Sequence, residues 1–126
     1  MITTHVLDTA LGQPGIGIEV TLCRQNDNGQ NESHPDHNSQ DQHNWTSVSK
    51  GITNHDGRIP GWLDDKPALL PGIYRIRFEL DDYFSKLGQN AFYPFAEIVF
   101  RVENPAQHFH IPLLLSPFSY STYRGS

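Results

Sequence analysis

HFHIPLLLSPFSYSTYRGS, residues 108–126, stays apolar, aromatic and patterned almost to its last residue. Chain ends are usually polar and loosely held unless something ties them down. A terminus of this composition is expected to be packed or working. His108 and His110 alternate with Phe109 and Ile111. On a strand, that spacing puts histidines on one face and hydrophobes on the other. A second run alternates in the same way, with Phe118, Tyr120 and Thr122 set against Ser119, Ser121 and Tyr123.

The two-residue period recurs upstream. ITTHVLD (2–8) alternates and stops at a Gly/Pro cluster, Gly12 to Gly15. GIEVTLCRQ (17–25), WTSVSKGIT (45–53), GIYRIRFEL (72–80) and AEIVFRVE (96–103) follow, with the turn NHDGR (54–58) after the second of these. Short strands separated by frequent turn signals predict an all-β antiparallel sandwich. LDDYFSKLG (80–88) breaks the pattern. Its acidic start, the helical spacing of Tyr83, Phe84 and Leu87, and the closing Gly88 predict one short helix. Residues 24–44, RQNDNGQNESHPDHNSQDQHN, hold no aliphatic side chain and read as a long, flexible polar loop. His34, His37 and His43 lie in it. Without a rigid frame or tight ligand spacing, they read as solvated rather than metal-binding.

The length of 126 residues suits a single domain, 1–126, that buries roughly two-thirds of its unfolded surface. A net charge of −5 argues against nucleic-acid or anionic-membrane partners. The one cysteine, Cys23, excludes an intrachain disulfide; its apolar surroundings in sequence predict a buried, inert thiol. No apolar run approaches the ~20 residues of a membrane span. MITTHVLDTA carries neither the basic nor the apolar segment of a signal peptide, so a cytoplasmic setting is expected.

Parity locates the candidate chemistry. If Ile2, Thr4, Val6, Phe109, Ile111 and Leu113 face the core, then His5, His108, His110, Ser119, Ser121 and Tyr123 share an outer face. An open sheet face holds no cleft, but the same face pressed against a second copy does. A site at an oligomer interface is therefore expected. Histidines at i, i+2 can share zinc, with His5 as a third ligand, although no HExxH or cysteine motif is present. The other reading is acid–base chemistry without metal. Imidazole titrates near neutrality, and close histidines depress one another towards the free base.

THVLDTALGQPG (4–15), GITNHDGR (51–58), FYPFAEIVF (92–100) and the 108–126 stretch together resemble the transthyretin-like 5-hydroxyisourate hydrolases. The resemblance covers the chain in order, apart from the polar loop. The terminal YRGS is the feature that separates those hydrolases from hormone-carrying transthyretins. The resemblance implies an eight-stranded transthyretin-like (prealbumin) sandwich with one short helix. It also implies a homotetramer, a dimer of dimers, with paired sites where outer faces meet. The implied reaction opens 5-hydroxyisourate, a small purine-derived substrate, at its N1–C6 amide. The product is 2-oxo-4-hydroxy-4-carboxy-5-ureidoimidazoline, and neither cofactor nor metal is implied.

Residue by residue, the resemblance implies His5, Arg58, His110 and Ser126 as catalytic. His5, Arg58 and Tyr123 would bind substrate, and His108, Arg124 and Gly125 would support the site. Amide hydrolysis needs a deprotonated water, a stabilised oxyanion and a protonated leaving nitrogen. His5 and His110 are expected to hold and deprotonate the water. Arg58, permanently cationic and planar, is expected to meet the oxyanion, with Asp56-Gly57 forming the turn that aims it. Tyr123 is expected to contact the substrate ring. Ser126 would act through its hydroxyl or the terminal carboxylate. For His108, support of His110 and a purely structural role stand equal. Arg124 also reads as an ion-pair partner, and Gly125 as a backbone bend. The rival function is a non-enzymatic transthyretin-like carrier of a small hydrophobic ligand.

Overall fold

The computed structural model describes residues 1–27 and 44–126. Most of the polar segment 24–44, including His34, His37 and His43, lies outside the described residues. Arg24 and Gln25, which fall in both the strand run 17–25 and the polar run 24–44, finish a strand.

Among the described residues, eight strands and one helix follow the chain order: β1 Ile2–Asp8, β2 Gln13–Pro14, β3 Glu19–Gln25, β4 Trp45–Ile52, β5 Gly72–Glu79, α1 Asp81–Lys86, β6 Phe95–Val102, β7 Phe109–Ser116 and β8 Ser119–Thr122. They form two four-stranded sheets, ordered β2-β1-β7-β8 and β4-β3-β5-β6. Burial alternates in β1 and β5 as the sequence pattern predicts, while β7 buries Pro112, expected on the outer face, along with Ile111 and Leu113. In β1, Ile2, Thr4, Val6 and Asp8 are buried and the residues between them half-buried; in β5, Tyr74, Ile76 and Phe78 point inward while Arg75 and Arg77 point out. The inner faces meet in one core that includes Leu22, Phe84, Phe109, Leu113 and Leu115. No helix among the described residues is long and apolar enough to cross a membrane.

One pairing departs from the antiparallel expectation. β1 and β7 run parallel, in a register that sets Thr3 against His110 and His5 against Pro112. Parallel neighbours need a long crossover. Here the chain visits the whole second sheet between them, which brings residues over a hundred positions apart in sequence side by side. β2, the eighth strand, is a two-residue pair with β1 inside the Gly/Pro cluster, too short to alternate visibly.

The helix is held from below rather than capped from the side. Leu80 stands at its N-cap with no side-chain hydrogen bond, and Phe84 is buried. Gly88, at φ +72°, allows the closing turn. Tyr83 Oη donates to Asp8 Oδ2 at 2.6 Å. Asp8 Oδ1 in turn accepts from the backbone N–H groups of Ala10 and Leu11, each at 3.0 Å. A carboxylate only 1% exposed thus has its acceptors filled, and it ties α1 to the end of β1. Burial and this carboxylate push the Tyr83 phenol well above its ordinary range.

Cys23 is half-buried rather than buried. It follows a bulge at Leu22/Cys23 and pairs with Arg75 on the outer face. Its apolar neighbours in sequence point the other way.

Candidate active site

The site grows from the outer face of β1 and β7. Thr3 and His5 alternate outward from β1, and His110 does so from β7, with exposed His108 just before it. Arg58 joins them from a loop. Its backbone forms an antiparallel bridge with His5, and Val6 N donates to Gly57 O at 2.9 Å. The turn before Arg58 is built by Asn54. Asn54 Oδ1 accepts from the N–H of Asp56 at 2.8 Å and of Arg58 at 3.1 Å. Gly57 N donates to Asn54 O at 2.8 Å. Gly57 takes φ +76°, and a Cβ there would lie 2.4 Å from Val6 O, so no other residue fits without moving β1. The Asp56-Gly57 signal therefore does aim Arg58. Asn54, the side chain that closes the turn, was not singled out in the sequence, although an Asn two residues before Asp-Gly is an Asx-turn signal.

A cavity of about 370 Å³ opens on this face, lined by Thr3, Arg58, His108, His110, Ser126 and the backbone turn Ile59–Gly61. That volume falls in the range of small-molecule sites. His5 adjoins it through its bridge to Arg58. The structure therefore brings together His5, Arg58, His108, His110 and Ser126.

Two of the expected residues sit elsewhere. Tyr123, 58% exposed, lines a second cavity of about 250 Å³ at the open edge between the sheets, with Val99, Arg101 and Phe109. β8 ends at Thr122, so Tyr123 has left the paired strand. Arg124 places its guanidinium 4.7 Å from the Phe109 ring centroid and donates to Gln107 Oε1 at 3.4 Å. Among the described residues its contacts are a cation–π stack and a neutral hydrogen bond rather than the expected ion pair.

Gly125 is a matter of close approach rather than a bend. Its N–H donates to His110 O at 2.7 Å, and a Cβ would stand 2.6 Å from His110 Cδ2. The His110 ring thus occupies the space that any side chain at 125 would need. Gly125→Ala is expected to push the imidazole off its position and lower turnover at least tenfold, with thermal unfolding nearly unchanged. Activity and melting measured on one preparation check this.

The electrostatics suit a base. Burial is the first cause that holds His5 below the ordinary histidine value of 6.5, and the Arg58 cation adds to it against a smaller opposing pull from Asp56. His110 is lowered by burial first, then by Arg58, His5 and His108. Both shifts favour the neutral ring, which has a lone pair to offer. Among the described residues, no group of three or more His, Cys, Asp or Glu is placed to hold a metal ion.

A β-sandwich with neutral imidazoles beside a turn-held guanidinium is equipped for acid–base chemistry on a small polar molecule. Residues 2–125 match the model of the HIUase/Transthyretin family, and the chain belongs to that family. It is 42% identical over 125 residues to the mouse 5-hydroxyisourate hydrolase, covering 99% of this chain and 94% of the relative. It is 38% identical to the enzyme of the same name from Halalkalibacterium halodurans, over 99% of this chain and 97% of the relative. Among solved structures it resembles the Klebsiella pneumoniae 5-hydroxyisourate hydrolase, with a TM-score of 0.74, 30% identity and coverage of 99% and 98%. It also resembles sea bream transthyretin in complex with thyroxine, with a TM-score of 0.81, 26% identity and coverage of 98% and 93%. The backbone is thus shared by a 5-hydroxyisourate hydrolase and a transthyretin solved in complex with thyroxine, so the side chains of the face must separate the two activities.

Proposed function

We propose that this chain hydrolyses 5-hydroxyisourate to 2-oxo-4-hydroxy-4-carboxy-5-ureidoimidazoline, a step of urate breakdown. The observation that carries the reading is the convergence of His110, Arg58 and Ser126 on one cavity, with His5 bridged to Arg58. A carrier of a hydrophobic ligand has no use for two neutral bases beside a cation.

In this mechanism His110, with His5, holds a water over the N1–C6 amide and takes its proton as hydroxide attacks C6. Arg58 lies where charge develops on the carbonyl oxygen and stabilises the oxyanion through a planar, permanently charged donor. The imidazole then returns the proton to N1, the C6–N1 bond breaks, and the ring opens with N1 as the ureido NH2 and C6 as a carboxylic acid, which gives its proton to solvent. Ser126, exposed at the cavity mouth, orients water or substrate. Tyr123 would reach substrate only from a neighbouring copy or after rearrangement.

The active form is proposed to be a homotetramer in which outer faces of β1, β7 and β8 pair. Phe118, 71% exposed in the hairpin between β7 and β8, supports such a contact. A cytoplasmic location belongs to the same reading, since a lone cysteine suits a reducing compartment.

The test is the identity of the product. With substrate labelled with ¹³C at C6, NMR is expected to show the amide carbonyl signal replaced by that of a carboxylate at an enzyme-dependent rate. A protein that binds the label without converting it would support the carrier instead.

A further inference from the structure

The hydroxyl of Thr3 stands between two imidazoles. Thr3 Oγ1 lies 2.8 Å from His110 Nδ1 and 2.8 Å from His108 Nε2. The parallel register that pairs Thr3 with His110 makes this possible. A hydroxyl has one proton to give and lone pairs to accept with. When it donates to one ring, it must accept from the other, so the tautomers of the two histidines are coupled.

We propose that Thr3 is a positioning residue for the hydrolysis: its single hydroxyl fixes which nitrogen of His110 is bare and passes the proton change on to His108. In the resting arrangement, His110 Nδ1–H donates to Thr3, and Thr3 donates to His108 Nε2. His110 Nε2 is then the bare nitrogen. During attack, an O–H bond of water breaks and an Nε2–H bond forms on His110. The Nδ1 proton moves to Thr3 Oγ1, and the Thr3 proton moves to His108 Nε2. His110 ends neutral and His108 ends cationic, while the hydroxide is consumed at the carbonyl. When the leaving nitrogen takes the Nε2 proton, the two transfers run backwards and every group is restored.

The arrangement of charge favours this route. A cation on His110 would face Arg58, His5 and His108 from three elements, and all three disfavour it. Asp56 acts on His5 and is not among the groups that act on His110. His108 is exposed, so a charge moved there is hydrated. The two neighbouring histidines thereby acquire different tasks, with His110 working on substrate and His108 holding the displaced proton.

The inference rests on the hydrolase reading, but its first readout does not. Imidazole ¹⁵N NMR of the substrate-free protein reports the tautomer directly. Wild type and Thr3→Ser are expected to show His110 protonated at Nδ1 with Nε2 bare. Thr3→Val, which keeps the shape and removes the hydroxyl, is expected to lose that preference and to lower kcat about tenfold to a hundredfold with KM little changed. Thr3→Ser is expected to recover most of that kcat. His108→Gln, at an exposed position, is expected to keep the His110 tautomer and lower kcat to a similar degree. Retention of the tautomer or of full kcat in Thr3→Val overturns the proposal, as does full kcat in His108→Gln. Wild-type protein without hydrolase activity would instead end the hydrolase reading and the relay with it, and leave the tautomer result standing.

Discussion

His110→Asn is expected to lower kcat for 5-hydroxyisourate by about 10²- to 10⁴-fold, the range general-base catalysis supplies. Asparagine can hold a water but cannot take its proton, so binding and catalysis separate. KM should move little, because Arg58 and the cavity walls stay in place. The fold should survive, since the bond that ties Gly125 to residue 110 uses the main-chain carbonyl and not the ring. Steady-state kinetics beside circular dichroism of the same sample check both halves. Near-normal kcat in a folded variant would remove His110 from the mechanism.

Arg58→Gln has the second large effect, with two parts. Loss of a charged donor at the oxyanion is expected to lower kcat/KM about 10²- to 10³-fold. The same change removes a cation that disfavours protonation of both His5 and His110. The direction follows from the sign of that interaction. Without the cation the protonated rings are less penalised, so both pKa values rise. In wild type the acid limb of the kcat/KM profile should lie below the ordinary histidine value of 6.5. In the variant's residual activity it should move to higher pH. Histidine ring titration by NMR measures the shift without activity. Titrations that coincide in the two proteins would show that Arg58 does not act on the histidines.

The outer-face site was legible because strand parity is a strong constraint. β1 and β7 each bury one face, so Ile2, Val6, Phe109 and Ile111 pointing inward left His5 and His110 only one direction. Arg58 was legible through its turn, because Asp-Gly marks the reversal and Gly57 alone tolerates the approach to Val6. What lay beyond one strand or one turn was not legible. Alternation carries no record of which strands pair, so the parallel β1–β7 ladder and the place of Thr3 between His108 and His110 did not show. A threonine on a strand is ordinary in sequence, and its partners stand more than a hundred residues away. Parity also fails where pairing stops. Tyr123 follows the last residue of β8, and Arg124 folds over Phe109 rather than meeting an acid. Gly125 read as a bend because glycine marks both bends and close contacts. Only the His110 ring, 2.6 Å from where a Cβ would stand, tells them apart.

The most direct measurement is the decay of 5-hydroxyisourate absorbance with and without the protein, with thyroxine binding measured on the same sample. The account predicts decay far faster than the spontaneous rate, proportional to protein concentration and saturable with substrate. Decay at the spontaneous rate, together with tight, stoichiometric thyroxine binding, would contradict it and make this chain a carrier.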